Sequence, residues 1–461
     1  MGCGFFFVWV GNKRQADASY IYRMPLQPCY GTGLPFFLIY PIFSSFTPCT
    51  LSENMVYYIL YYCRLPLGDP YGMADHFREH RSLCDPVPVD LTKDMPMLKI
   101  LHTGDLHLDA AFAALDERRA QIRKNEMRAA FTSMMTYARM NGVDAVVLAG
   151  DVFDGRYVTR ETVQLLCSEF EKFGGIVCIA TGNHDYADTG SVWRNTTFPD
   201  NVHLFLDPTL TSLSFPEKNL TVWGYGFSAP ELPENPLRGH TVTDPGRINL
   251  LLCHSDMNGD DRYAPLTGAD LTAFGADYTA LGHIHNPPPA GERWAYCGCL
   301  EGRDFSETGP KGACVVEIEK NGTTSAVRMK RVRFSKRRYE TGSLDITGCT
   351  TMADVRSATA DYIAAHKYGE DTLLQLRYTG IAGDGLVING DLLGDMGLFC
   401  CKIQDKTMPD LATLSTDPGI RGALYRTLAP ALSSAVPEEK DTALRALRYG
   451  LAAIAGENIV E

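Results

Sequence analysis

Five short polar clusters, each closing an apolar run, contain five of the chain's 11 histidines. They are Asp105-Leu106-His107, Gly150-Asp151, Gly182-Asn183-His184-Asp185, Cys253-His254 and Gly282-His283-Ile284-His285. Carboxylate, amide oxygen and imidazole together suit a hard-to-borderline divalent ion such as Mn²⁺, with Fe²⁺ or Zn²⁺ as alternatives. No cysteine spacing matches a structural zinc finger. Two ions about 3.5–4 Å apart need one carboxylate that reaches both, and such a pair acidifies water into a nucleophile. Asp151, at a strand end, is the candidate bridge. Asp105 and His107 lie two apart on an extended loop, so both can face one ion. Asn183 offers a neutral oxygen, which limits negative charge and leaves the ions electrophilic. His254, His283 and His285 complete two shells. His184 is placed to stabilise a phosphoryl group or to protonate a leaving oxygen. Each piece alone is weak: Asp-x-His occurs at helix caps, Gly-Asp is a turn, and a strand-end histidine such as His254 is more often structural. All five in this order, each at a strand end, point to a two-metal phosphoesterase.

The elements that must position these clusters are legible from periodicity. Leu98–Leu101 is a short apolar run ending in the first cluster. Residues 116–140 read as a helix, with Ile122, Met127, Phe131, Met134 and Ala138 on one stripe and Asn141-Gly142 as its stop. Ala145–Ala149 is a buried strand, Thr159–Phe173 a second helix closed by Gly174-Gly175, and Ile176–Ala180 a third strand. Strand–helix–strand alternation implies right-handed crossovers and a parallel sheet, with ligands at the carboxyl ends of the strands. Ile248–Cys253 and Tyr278–Leu281 deliver His254 and His283/His285 in the same way. Segments 221–227, 294–299, 312–319 and 325–334 suggest a second, more antiparallel sheet packed on the first.

Beyond residue 340 the pattern changes. Thr351–His366 reads as a helix, Thr372–Tyr378 and Phe399–Ile403 as strands, and Ile420–Leu432 and Lys440–Ile454 as helices. The expected organisation is therefore a phosphoesterase domain over 97–340, a small α/β cap over 341–405 and a helical segment over 406–461. Residues 1–96 differ from the rest. They are rich in aromatics and prolines, sparse in charge, and hold no sustained period. Their apolar runs are too short or too interrupted by Pro41, Pro48 and Glu53 to favour a membrane helix. Met97 opens a typical first strand, so residues 1–96 are expected to be an extension from an early start codon, outside the fold. A hydrophobic content of 45%, charged content of 21% and net charge of −12 describe an ordinary globular chain that does not coat nucleic acid nonspecifically. The 14 cysteines show no framework spacing and read as reduced residues of a cytoplasmic protein.

The run Ile100-Leu101-His102-Thr103-Gly104-Asp105-Leu106-His107-Leu108-Asp109, followed by Ala149-Gly150-Asp151-Val152-Phe153-Asp154, resembles the calcineurin-like metallophosphoesterases. Within them it is similar to the DNA-repair nucleases of the SbcD/Mre11 type and their YhaO-like relatives. The resemblance covers residues 97 to about 300. It implies a two-sheet sandwich flanked by helices and two Mn²⁺ ions, one held by Asp105, His107, Asp151 and His285, the other by Asp151, Asn183, His254 and His283. It implies His184 as the transition-state histidine. It also implies nuclease action on DNA, a coiled-coil ATPase partner of the SbcC/Rad50 type, and dimerisation as in many relatives. Asp154 is a candidate catalytic residue beside His184, and a departure, since archaeal and eukaryotic relatives carry a histidine there with a role at the scissile phosphate and an ionised carboxylate cannot donate in that way. Asp109 stands where many relatives have glycine.

Other features carry less. The basic run Lys330, Arg331, Arg333, Lys336, Arg337 and Arg338 could touch a DNA backbone or serve as a solvated edge strand. Cys297-x-Cys299 reads as half-buried strand rather than a redox or metal pair. The last helix could dock a partner or pack on its own domain. Rival functions are a phosphodiesterase or phosphatase for small nucleotides or phosphoproteins, and a scaffold for an ATPase with a vestigial metal site. For residues 1–96, mass spectrometry of the native N-terminus should find no peptide from positions 1–90; one such peptide would refute the early-start expectation.

Overall fold

The computed structural model describes residues 4–11, 20–24, 57–64, 97–155, 158–257, 259, 261–383, 386, 388 and 390–456. The chain forms two units, Met1–Met95 and Pro96–Glu461. In the first, strands β1 (Gly4–Gly11), β2 (Tyr20–Met24) and β3 (Tyr57–Arg64) make an antiparallel sheet in the order β2-β1-β3. Apart from these strands, the expectation for residues 1–96 lies outside the described residues.

The second unit opens with β4 (Met97–Thr103). Helix α1 (Glu117–Met140) follows, its first turn capped by Asp116, whose carboxylate accepts from Arg119 N at 2.8 Å. Next come β5 (Ala145–Ala149), α2 (Arg160–Phe173), β6 (Ile176–Ala180) and β7 (Val202–Phe205). Thr159 caps α2, and Gly174, at φ 67°, ends it in the left-handed region. Strands β4, β5, β6 and β7 pair in parallel. The five residues of β5 are all buried, as expected for a strand covered on both faces.

A second sheet is made by β8 (Thr211–Phe215), β9 (Leu220–Gly224), β10 (Ile248–His254), β11 (Tyr278–Gly282) and β12 (Trp294–Tyr296), in the order β12-β11-β10-β9-β8. This sheet is parallel except at β8, which corrects the more antiparallel sheet expected there. The antiparallel strands β13 (Gly312–Asn321) and β14 (Thr324–Arg333) instead extend the first sheet, β13 pairing with β4. Alternation along a strand shows which face a residue takes, but it cannot show which sheet the strand joins.

The two sheets pack face to face as a sandwich. Ala145, Val147 and Ala149 of β5, with Ile100, Cys178 and Ala180, meet Val222, Leu250, Leu252, Tyr278 and Ala280 of the second sheet. The alternate residues Leu101, Val146, Leu148, Val177 and Ile179 turn outward onto Met127, Phe131 and Met134 of α1 and Phe170 of α2. On the other side Leu251, Cys253 and Leu281 lie against Leu271 and Phe274. At the carboxyl edge the sheets nearly touch. A Cβ on Gly282 would stand 1.8 Å from the Ala149 carbonyl oxygen, so only glycine permits that approach.

Strand β15 (Arg338–Asp345) opens a smaller sheet, the cap, within the same unit. With β16 (Thr372–Thr379) and the strand Cys400–Asp405 it makes a three-stranded parallel sheet, covered by the helix Met352–Ala365 around Val355, Leu374, Leu376 and Tyr378. The helices Ile420–Leu432 and Pro437–Ile454 follow. Ala443 and Leu447 of the last helix are buried, a Cβ on Gly450 would meet Leu424, and Arg448 bonds Asp405 of the cap. Much of its apolar face is thus spent within the chain. Among the described residues no helix is long and apolar enough to cross a membrane.

Phe131 is fully buried and packs edge-on against Phe170 at 5.8 Å between ring centroids. Phe131→Ala should lower the stability of this unit by about 3–5 kcal/mol, read by denaturant unfolding.

Candidate metal centre

The loops after β4 and β5 run side by side past the ends of their strands. Asp105 N donates to Gly150 O at 2.9 Å, His107 N to Asp151 O at 3.0 Å and Leu108 N to Val152 O at 2.9 Å. Asp105, His107, Asp151 and His283 all adopt positive φ, at 48°, 42°, 49° and 101°. Such conformations cost about 1–3 kcal/mol per non-glycine residue and persist only where surrounding structure imposes them. One imposing group is Asp185. Its buried carboxylate accepts from the backbone N–H groups of Gly182 (2.8 Å), Val152 (2.9 Å), Asp151 (3.2 Å) and Phe153 (3.3 Å). It thereby ties the end of β5 to the end of β6. Asp109, at φ 67°, performs a similar task nearby, accepting from Thr159 N and from Arg128. This explains a carboxylate where glycine would satisfy the backbone alone.

The donors from both sheets converge. His107 Nε2 and His285 Nε2 are 3.1 Å apart. His254 Nε2 lies 2.9 Å from Asn183 Oδ1 and 3.3 Å from His283 Nδ1. Asp151 Oδ2 stands between the two sets, 3.7 Å from His107 Nε2 and 3.5 Å from His254 Nε2. Asp105 Oδ1 is 3.8 Å from His285 Nε2, and both its oxygens accept from His283 N at 3.0 Å. The donor atoms of Asp105, His107 and His285 fall within 4.8 Å of one another, as do those of Asp105, Asp151 and His254.

The second nitrogen of three imidazoles is committed elsewhere. His254 Nδ1 donates to the Ala149 carbonyl at 2.9 Å, an inter-sheet bond. His107 Nδ1 donates to Asp154 Oδ1 at 3.0 Å, and His285 Nδ1 to Glu307 Oε1 at 2.6 Å. Carbonyl and carboxylate oxygens only accept, so in the neutral ring the proton sits on Nδ1 and Nε2 presents a lone pair; at His285, Arg303 Nη2 also lies 3.1 Å from Nδ1. Lone pairs of His107 and His285 then face each other, and that of His254 faces the Asn183 and Asp151 oxygens. Acceptors facing acceptors at these distances suit a cation, and the donor set fits two divalent ions.

The charges agree. Burial, aided by the Asp151 charge, pushes Asp105 up to about 6. Burial would also raise Asp151, but His254, His107 and His184 outweigh it and hold it at about 2. Burial drives His107 well down, favouring the neutral ring. Burial opposes charge on His285 as well, yet Glu307 and Asp105 prevail and raise it, so this ring stands where positive charge is favoured.

His184 is exposed at the mouth of the site. Its backbone N–H donates to Asp151 Oδ1 at 2.9 Å, and its ring lies 4.8 Å from that of His107, edge-on. Asp154 lies behind His107, where it also accepts from Arg303 at 2.8 Å. It holds an imidazole here from a partly exposed position. Arg303 and Glu307 lie outside every motif of the sequence, and Asp185 stands in the third cluster with no role assigned to it there. Only the spacing of Arg303 and Glu307 four apart hinted at a pair, and nothing local marked their target. Cys297 and Cys299 lie just past β12, which ends at Tyr296, so they are not in the strand expected over 294–299. Both are buried, their Sγ atoms 3.8 Å from Asp105 Oδ2 and 3.7 Å from Glu307 Oε2. The basic run is largely consumed within the chain. Arg331 donates to the Tyr296 and Cys297 carbonyls, Arg337 to Glu126 and Arg338 to the Lys367 carbonyl.

Residues 98–287 match the family model described as calcineurin-like phosphoesterase. The uncharacterized metallophosphoesterase YhaO of Bacillus subtilis is 28% identical over 306 residues, 63% of this chain and 74% of its own. The SbcD component of the nuclease SbcCD from Staphylococcus saprophyticus is 26% identical, covering 49% of this chain and 67% of its own. The DNA double-strand break repair protein Mre11 of Halobacterium salinarum is 27% identical, over 53% of this chain and 62% of its own.

A Cβ on Gly182 would stand 2.2 Å from Asp151 Oδ1 and 2.7 Å from Asp151 N, with no room to yield. Gly182→Ala should therefore displace the Asp151 carboxylate and weaken Mn²⁺ uptake at least about tenfold, measured by calorimetric titration, while circular dichroism stays unchanged.

Proposed function

We propose that this chain, which carries a calcineurin-like metallophosphoesterase domain over residues 98–287 and is a hydrolase of phosphoester bonds, is a Mn²⁺-dependent DNA nuclease subunit of the SbcD/Mre11 type acting in DNA repair. The observation that carries the reading is the set of acceptor atoms from both sheets that face one another around Asp151 Oδ2. In this reading Asp105, His107, Asp151 and His285 hold one ion, and Asp151, Asn183, His254 and His283 hold the other. When bound, the ions supply Lewis acidity toward phosphoryl oxygens and acidify water.

The chain's own residues do the rest. Asp151 is kept ionised by the imidazoles around it and is oriented by His184 N–H. His184, exposed beside the cluster, is the side chain that meets substrate, holding a proton against the departing oxygen or the phosphoryl charge. Asp154 acts through His107, not on the phosphate. The SbcD and Mre11 relatives and the α/β cap following the phosphoesterase domain support DNA as substrate and a coiled-coil ATPase of the SbcC/Rad50 type as partner. Homodimerisation and a cytoplasmic location belong to the same reading.

The test uses the full chain with Mn²⁺ on linear DNA, cyclic nucleotides and p-nitrophenyl esters. DNA should be cut, His184→Ala should lower the rate by about 10²–10⁴-fold, and Asp151→Asn should abolish cleavage. Turnover of small esters alone would favour a small-substrate phosphodiesterase, and no turnover would favour a scaffold.

A further inference from the structure

We propose that Arg303 is a positioning residue that selectively fixes one of the two ion sites, the one built on His107 and His285. The proposal rests on the two-ion reading above. Arg303 Nη1 donates to Asp154 Oδ1 at 2.8 Å, and its Nε and Nη2 reach Glu307 Oε1 at 3.2 and 3.1 Å. Those two carboxylates are the groups that hold His107 Nδ1 and His285 Nδ1. One guanidinium thus closes a continuous chain, His107–Asp154–Arg303–Glu307–His285, behind two rings whose free nitrogens are 3.1 Å apart.

The chain does two things. It sets the tautomer and aim of both rings together, because neither carboxylate can turn without breaking its bond to Arg303. It also balances charge: Asp154 and Glu307 stand close behind a centre that already contains Asp105 and Asp151, and the guanidinium offsets them. The residues just before Arg303 are themselves held by α1. The neighbouring Glu301 accepts from buried Arg123 at 2.7 Å, and Arg123 also donates to the Gly302 carbonyl at 3.0 Å. Arg337, at the entry to β15, binds Glu126 of the same network.

The other site is held without Arg303: His283 Nε2 faces Asp256 Oδ2 at 3.7 Å. His254 is oriented by a neutral backbone carbonyl, Ala149 O, and Asn183 carries no charge. The two halves of the centre are therefore held by different means, and a change at Arg303 should be felt by one ion only. Lysine keeps the charge but lacks the planar fork that spans two carboxylates. Arg303→Lys thus isolates orientation from charge.

The experiment is Mn²⁺ titration of the full chain by calorimetry, with electron paramagnetic resonance at two equivalents. The wild type should bind two ions and show a spin-coupled pair. In Arg303→Lys one equivalent should weaken about 10–100-fold, the other should be unchanged, and the coupled signal should give way to that of isolated Mn²⁺. Asp154→Asn, at a partly exposed position that tolerates the change in shape, should weaken the same equivalent and covers the case in which Arg303→Lys fails to fold. A general loss of stability cannot separate the two equivalents. Equal weakening of both ions, or no change in either, would overturn the proposal while leaving the two-ion reading intact. No Mn²⁺ uptake by the wild type would overturn that reading and this proposal with it.

Discussion

The chemistry of this chain depends on two β-sheets ending at the same place and close enough to share cations. Sheets in a sandwich pack about 10 Å apart, too far for short side chains to meet across the gap. Here the separation collapses at the carboxyl edge. His254 of the second sheet donates to Ala149 O of the first, and Gly282 leaves its Cβ position to that same carbonyl. With the backbones in contact, Asp105 and Asp151 from one sheet stand within reach of His254, His283 and His285 from the other. The small inward residues Ala149 and Ala180 serve the same approach.

Convergence creates an electrostatic problem that the protein only partly solves. Two buried carboxylates and several imidazole lone pairs point at one small volume. Amide donors answer some of it: His283 N serves Asp105 and His184 N serves Asp151. The remaining lone pairs are turned toward one another because Ala149, Asp154 and Glu307 occupy the opposite side of each ring. That outer layer decides the character of the centre. It fixes the aim of His254 by a carbonyl and that of His107 and His285 by carboxylates joined through Arg303.

The same logic explains where the positive charge has gone. The run from Lys330 to Arg338 is conspicuous in the sequence, yet its arginines join β14, the cap and α1. Arg337 reaches Glu126 and lies 3.5 Å over the Phe399 ring, while Arg123 sits fully buried between Glu126 and Glu301. Burying charge is tolerable only where partners satisfy it, and this junction supplies them. Arg119 and Asp395 add an ion pair between α1 and the cap. This smaller sheet is therefore tied to the sandwich by directional polar contacts, and its Tyr339 meets Phe305, two residues from Arg303.

Local patterning decided much of this protein. Short apolar runs alternating with amphipathic helices already demanded a parallel sheet, and the glycines at Gly174-Gly175 placed the end of α2 well. The donor types and their order past strand ends pointed to divalent-ion chemistry because carboxylate and imidazole in that register have few other uses. What only the tertiary structure decided are relations between distant segments. Strands β13 and β14 could have joined either sheet, since alternation is the same in both. Asp154 bonds His107, and Arg303 and Glu307 stand behind the site despite lying outside every motif. Which ring nitrogen is free depends on what occupies the other side of the ring. That is a matter of contact geometry across tens to hundreds of residues, and no local spacing encodes it.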